Sequence, residues 1–285
     1  MASAFDGRRC AALPYRASRA IFEGLLSAHA AFPITPKTTP LARTGFMTYA
    51  AVQTRNLEEF SEVLLRCNHL YHPSNDSIAL RNAVESRRQI EIFDYNLSAD
   101  AFTRAFGMRN SLKCLQALTS LEEDAVHRYR RVCDLGCGSG AFSLAFAYLA
   151  HNPELELRGL DLSEHQLSLA RELMAAAGLP GDFQFEQRNL PAQIGYLPDL
   201  TISSYWFCEN ERVLADPLLF DLMAGREMLI VDYETIIDRI AACLPKAFRI
   251  LARRSAHVDI PSALTDFVAQ KRASVHSIHI GRTAA

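Results

Sequence analysis

The stretch that decides the fold is Val132-Cys133-Asp134-Leu135-Gly136-Cys137-Gly138-Ser139-Gly140. Val132 to Leu135 reads as a strand and Ala141 to Ala150 as a helix, so a glycine-rich turn joins the two. Glycine lets a backbone bend sharply and come close to a ligand, where a side chain would collide. The start of a helix adds free N–H groups for polar ligand atoms. Leu155 to Leu160 reads as the next strand and Asp161 closes it, 21 residues after Gly140. A carboxylate at that place can accept both hydroxyls of a ribose. A glycine-rich turn after one strand, with an acid after the next in a βαβ unit, says more than either alone.

Downstream the same alternation continues. Ser163 to Ala177 reads as a helix, with Ser163 as N-cap, Gln166 closing a capping box and Gly178 just past the end. Phe183–Asn189, Leu200–Trp206 and Glu227–Tyr233 read as strands, and a helix covers about 234–243. Ala247–Arg254 and Ser274–Ile280 read as the last two strands. Short β-rich runs alternating with helices signal a parallel sheet with crossover helices. Upstream the pattern is helical. Leu57, Phe60, Leu64, Cys67 and Tyr71 fall on one face of a helix from Asn56 to Tyr71, and Asn56 with Glu59 resembles a capping box. Further helices are expected over about 76–91, from near Ser98 with Phe102 and Phe106 on one stripe, and from about 110 to 125. Pro33, Pro36 and Pro40 mark an irregular stretch in residues 1–45. The expected organisation is a mostly helical region, 1–125, and an α/β domain, 126–285.

The run Asp-x-Gly-x-Gly-x-Gly from Asp134 to Gly140, with Asp161, resembles the first motif of the class I S-adenosylmethionine (SAM)-dependent methyltransferases. A dinucleotide site would instead show G-x-G-x-x-G. The resemblance covers about 125–285. It implies a Rossmann-like, seven-stranded, mostly parallel sheet whose last strand is an antiparallel hairpin partner, with SAM lying across the strand ends. By the same resemblance, Asp134 and Gly136, Cys137, Gly138 and Gly140 face the methionine part, Asp161 the ribose and Leu162 the adenine. Asn189 matches a position that hydrogen-bonds the adenine amino group. After the fourth strand, nucleic-acid and protein-amide N-methyltransferases of this superfamily often carry Asn-Pro-Pro-Tyr. Here that place reads Ser204-Tyr205-Trp206-Phe207, then Cys208-Glu209-Asn210. The departure argues against amide or exocyclic-amine methylation, and the acidic pattern of metal-dependent catechol-type enzymes is missing as well.

The three aromatics can wall off water and hold a sulfonium by cation–π attraction, worth about 2 kcal/mol when desolvated. They can equally be core packing, since alternate strand residues face opposite sides. Tyr205, Trp206 and Glu209 are therefore the candidate catalytic residues, Glu209 as a base or simply as a solvated carboxylate. Ser203 and Ser204 either bind the methionine end of the cofactor or satisfy local backbone. Cys137 is a thiol near a helix start, reactive or merely small.

The 285 residues carry 49% apolar and 22% charged residues and a formal net charge of −2. That is ordinary globular composition, with no electrostatic footprint for nucleic acid. The basic pairs Arg87-Arg88 and Arg253-Arg254 are short enough to be solvated surface. No apolar run reaches the roughly 18 residues of a membrane span. Seven scattered cysteines without a CxxC, and no apolar stretch near Met1, point to reduced thiols in a cytoplasmic protein. Cys67, His69 and His72 lie together in sequence, but a closed zinc site wants four ligands and no fourth is evident, so no metal is expected.

Methyl transfer asks the protein mainly to align an acceptor and exclude water, so a missing triad is uninformative. The first expectation is a methyltransferase of secondary metabolism acting on a small molecule, with the N-terminal helices as a lid. A second keeps SAM but needs no acceptor. It resembles the azetidine-2-carboxylate synthases, in which the α-amino group attacks the γ-carbon and methylthioadenosine leaves. A third is a catalytically silent SAM-fold partner, which the intact first motif and Asp161 argue against.

Overall fold

The computed structural model describes residues 49–85, 98–119, 121, 125–190, 196–216, 220–221 and 224–283. The expectations for residues 1–45 and for 86–91, Arg87-Arg88 included, lie outside these. Seven strands form one sheet: β1 Arg131–Leu135, β2 Glu156–Asp161, β3 Asp182–Gln187, β4 Leu200–Ser204, β5 Glu227–Asp232, β6 Phe248–Asp259 and β7 Arg272–Arg282. Their order is β3-β2-β1-β4-β5-β7-β6. The first five run parallel, and β7 is antiparallel to both β5 and β6. The sheet class expected from the sequence is therefore the one observed. The order reverses between β1 and β4, so the crevice beyond the carboxyl ends of those strands is where ligands bind in open α/β sheets.

Eight helices accompany the sheet among the described residues: α1 Tyr49–Arg66, α2 Asn75–Glu85, α3 Ala99–Phe102, α4 Met108–Leu118, α5 Ala125–Arg128, α6 Ala141–Ala150, α7 Glu164–Ala177 and α8 Glu234–Cys243. None is long and apolar enough to cross a membrane. The expected face is the buried one, with Phe60, Leu64 and Cys67 inaccessible and Tyr71 in the core, but α1 stops at Arg66 rather than Tyr71, and a short 3-10 turn over Asn68–Leu70 carries the last of the stripe. Asn56, however, lies inside α1 and caps nothing. Residues 103–107 form a π-turn with helical dihedrals on both sides, so α3 and α4 run on through it without a break. There Gly107 sits against the Tyr71 ring, and a Cβ on it would fall 2.8 Å from Cε1. Ser163 does cap α7, its Oγ accepting from the Gln166 N–H at 3.3 Å, and Gly178 ends it at φ 63°. The reciprocal half of the capping box is absent, because both amide atoms of Gln166 are buried without a hydrogen-bond partner.

Residues Met47–Ala285 form one compact unit. The helices before β1 share a core with the sheet: Phe60, Leu64 and Leu115 belong to the same apolar cluster as Phe142 and Val132. The opposite face of the sheet packs Cys133, Leu135, Ile230 and Phe207 against α8. Cys67, His69 and His72 diverge. The thiol meets the Leu173 carbonyl, His69 the Glu172 carboxylate, and the His72 ring the ring of Phe267.

At the amino end of β5, Glu227 ties three elements together. Its Oε2 accepts from the Tyr129 hydroxyl at 2.5 Å, lies 2.7 Å from His279 Nε2 on β7, and accepts from Arg128 at 3.2 Å. Burial alone would raise its carboxyl, but Tyr129, His279 and Arg128 outweigh burial and hold it below the usual carboxylate range. Replacing Glu227 by Gln should cost about 1–3 kcal/mol in urea unfolding, because two part-buried partners lose a charged acceptor. Loss in the Tyr129→Phe, Glu227→Gln double variant should be smaller than the sum of the singles.

Candidate active site

The turn after β1 is built by backbone conformation. Gly136, Gly138 and Gly140 all lie in the left-handed region, at φ 62°, 51° and 84°. At Gly136 space is as limiting as conformation, since a Cβ would fall 2.2 Å from Cδ1 of Trp206. Gly138 is different, with nothing nearer to its would-be Cβ than Gln166 Oε1 at 3.7 Å. The Cys137 N–H is bonded to the Leu160 carbonyl at 3.1 Å, which lays the turn over the end of β2.

Two carboxylates flank this turn. Asp134 is fully buried, and its Oδ2 accepts from both the N–H and the hydroxyl of Ser143, at 3.1 and 2.7 Å. Its Oδ1 is buried with no hydrogen-bond partner. Burial pushes this carboxyl up to about 7, against the pull of the Ser143 bonds. A buried acceptor left unmade is costly, so this atom is a place where a ligand's donor gains most. Asp161 receives the Gly138 N–H on Oδ2 and the Ser163 N–H on Oδ1, both at 2.9 Å. Burial raises this carboxyl too, and those amide bonds oppose it. Leu162 beside it is 62% exposed, a large apolar side chain facing outward at the mouth of the crevice. Asn189 is exposed two residues past the end of β3, which stops at Gln187.

The aromatic run divides. β4 ends at Ser204, two residues earlier than expected, because Tyr205 takes φ 57° and turns the chain out of the sheet. Its ring meets Tyr233 edge-on at 5.4 Å, and its hydroxyl accepts from Lys113 Nζ at 2.8 Å. Trp206 covers Gly136 and packs edge-on against Phe207, which is fully buried. One ring, Tyr205, is thus at the edge of the site, and the other two are the floor beneath it. Ser203 departs from the ligand-binding reading, since its hydroxyl is inaccessible and donates to the Leu135 carbonyl at 3.1 Å. Ser204 is half-buried at the end of β4. Glu209 is exposed in the turn after β4, its N–H on the Trp206 carbonyl. Cys137 is buried, and burial with the nearby Asp134 and Asp161 charges drives its thiol well up, so it is packing rather than a nucleophile.

Four neighbours of the site escaped the sequence. Ser143 donates to Asp134, yet nothing in the motif distinguishes it from any serine in a first helical turn. Lys113 comes from α4. Asp232 ends β5, buried, accepting from the N–H groups of Cys208 and Tyr233 at 3.2 and 2.8 Å, and burial pushes it up to about 6. Tyr233 follows it, 56% exposed. An acid closing a parallel strand is the one signal in the sequence that marks Asp232.

Residues 127–258 match the family model described as a methyltransferase domain. The release factor glutamine methyltransferase of Deinococcus radiodurans is 33% identical over 163 residues, 55% of this chain and 56% of its own. The chain thus spans about half the length of the curated relatives it matches. Among solved structures, the magnesium protoporphyrin IX methyltransferase of Synechocystis PCC 6803 with bound SAM is similar with 16% identity and a TM-score of 0.44, covering 74% of this chain and 99% of that one. A 16S rRNA methylase is similar with 15% identity and a TM-score of 0.46, covering 83% and 90%.

Two outcomes follow from the geometry of the turn. Gly136→Ala should lose roughly 2–4 kcal/mol in urea unfolding, since a left-handed alanine costs about 1–2 kcal/mol and Trp206 must also move. Gly138→Ala should lose only the conformational part. The second outcome concerns pH. Asp134 and Asp232 titrate higher in the folded chain than the ordinary aspartate value near 3.9, so the folded state binds protons that the unfolded state releases. Stability of the ligand-free protein should therefore be full near pH 4 and fall as pH rises toward about 7. Asp134→Asn should flatten that slope in unfolding curves taken at several pH values.

Proposed function

Through residues 127–258 the chain belongs to the class I SAM-dependent methyltransferases, and from that premise we propose that it methylates a small molecule of secondary metabolism by direct in-line transfer. The observation that carries this reading is the edge beyond β4 and β5. Two phenol rings meet there, one bonded to an amine, where relatives that methylate amides often carry Asn-Pro-Pro-Tyr. Such an edge, apolar on its faces and polar at its tips, suits a compact aromatic or amphiphilic acceptor. The helices before β1 supply Lys113 to this edge, which supports their role as the substrate-covering region.

The residues fit the cofactor on the chain's own geometry. The unpartnered Asp134 Oδ1 suits the ammonium of the methionine part. The left-handed turn brings backbone rather than side chains to the ligand. Asp161 keeps further lone pairs for ribose hydroxyls, exposed Leu162 offers a face to the adenine, and Asn189 a polar group to its edge. Bound SAM supplies a methyl group on a sulfonium, which leaves as a cation equivalent with its bonding pair kept by sulfur. The chain's part is to hold, orient and keep water out. Trp206 and Phe207 do the last by sealing the floor under Gly136.

A second reading, acceptor-free cyclisation to azetidine-2-carboxylic acid and methylthioadenosine, is favoured by one observation. Asp134 combines an unpartnered oxygen with a carboxyl raised to about 7, and such a group takes up a proton near neutrality.

Incubation with SAM alone, followed by mass spectrometry, separates the two. The proposal expects SAM to survive and S-adenosylhomocysteine to form only when a panel of phenolic and amine acceptors is added. Methylthioadenosine with a new amino acid, and no acceptor, would overturn it in favour of cyclisation. In calorimetry Asp134→Asn should weaken SAM binding about tenfold or more, the worth of one charge-assisted bond. Equal affinity of variant and parent would remove Asp134 from the cofactor site.

A further inference from the structure

Lys113 is placed where a surface lysine would not be. It lies on α4, one turn after Arg109, and its side chain reaches over the sheet to the end of β4, with Nζ 2.8 Å from the Tyr205 hydroxyl. The same ammonium stands 5.0 Å from the centre of that ring. Tyr205 is held in place by a left-handed backbone, by its N–H on the Val231 carbonyl at 2.9 Å, and by Tyr233. A backbone strain of this kind is kept only where the surroundings over-determine it, and it gathers at functional sites.

The groups facing this pair are few. From α4 come Arg109 and Cys114, from beyond β4 Tyr205 itself, and from the end of β5 Asp232 and Tyr233. Asp232 has each oxygen on a backbone N–H group, and the Lys113 ammonium bonds a phenol oxygen. Burial first, and then the like charge of Arg109, push its amine down to about 8, with Cys114 opposing.

We propose that the Lys113 amine, seated on the Tyr205 phenol, is the group that accepts the proton of the nucleophile at the acceptor edge of the site. The inference rests on the SAM-dependent reading above. In the step it describes, the nucleophile's O–H or N–H bond breaks and its electron pair stays behind to bond the incoming methyl carbon. The proton forms a new N–H bond on Nζ, the neutral amine becomes an ammonium, and solvent takes the proton after release. Tyr205 fixes where that nitrogen stands, and burial, helped by Arg109, brings the neutral amine within reach as pH approaches 8. Glu209, exposed in the turn behind, is not needed.

The chain has only four lysines, at 37, 113, 246 and 271, so lysine-selective NMR of the whole protein resolves Lys113, with assignment by single Lys→Arg exchanges at 37, 246 and 271. We expect a Lys113 midpoint near 8; one at the ordinary lysine value near 10.4 overturns the proposal. Tyr205→Phe removes the acceptor that steadies the ammonium, so the midpoint should drop further, and an unchanged one dissolves the pair. The cofactor gives the directional test. A sulfonium, or the ammonium of a non-reacting analogue, should lower the midpoint by about half a unit or more relative to neutral S-adenosylhomocysteine, if Lys113 faces the reacting end. Equal midpoints with both ligands bound would sink the inference and leave SAM binding intact. Failure of either ligand to bind in calorimetry overturns the SAM reading and this inference with it. In turnover, the pH profile of kcat should rise with a midpoint near that of Lys113, and Lys113→Arg, which has no neutral form, should lose that limb; a profile lacking it in the parent overturns the proposal.

Discussion

The Asp161 carboxylate is the fastening on which the rest of the site depends. One oxygen holds the N–H of Gly138 in the turn after β1, and the other holds the N–H of Ser163 at the start of α7. A single side chain thereby binds two successive βα turns together, beside the switch point of the sheet. Backbone amides in such a turn would otherwise face low-dielectric surroundings unpaired, at a cost of about 1–3 kcal/mol each. With the turn fixed, Gly136 can lie against Trp206, Ser143 can reach Asp134, and the crevice has one shape. The ribose-binding acid read from the sequence is thus first a piece of local architecture, and any ligand role is added to that.

The fold was legible because its signals are periodic and local. The alternation of β-rich and helical runs after Tyr129 appears as five parallel strands and their crossovers, and the apolar stripe that starts at Leu57 is buried along α1 and on through the turn to Tyr71. The cap at Ser163 and the left-handed Gly178 are short-range chemistry that neighbours do not override. Boundaries were less legible. Asn56 has the look of a cap, yet α1 runs through it, since a capping pattern is only a local preference that a longer helix with a buried face can absorb. The π-turn at 103–107 ends at Gly107, which fits against Tyr71, and no pattern along the chain announces that contact.

The site was legible in its glycines and acids and illegible in its aromatics. A run of three rings after a strand gives no sign of which one leaves the sheet, and the answer lies in one dihedral angle at Tyr205. That angle sends Tyr205 to the rim and Trp206 and Phe207 inward, and it frees a phenol oxygen for Lys113. Ser203 went to the Leu135 carbonyl because strand neighbours compete for a buried hydroxyl. Lys113 itself sits about 90 residues away in sequence from its partner, on a helix whose polar positions look alike until the sheet is present.

The place of β7 has a consequence for how the chain is made. It lies between β5 and β6, antiparallel to both, and it is the last strand in the sequence. While the polypeptide emerges from a ribosome, the first five strands can assemble in order, but the outer edge of β5 stays open until residues 272–282 have cleared the exit tunnel. Until then the apolar run Met228 to Val231 borders an unpaired edge, a template for pairing with another nascent chain. Glu227 waits through the same interval for His279. The parallel strands are therefore closed only by the seventh strand, and a chain terminated before it keeps a sticky edge.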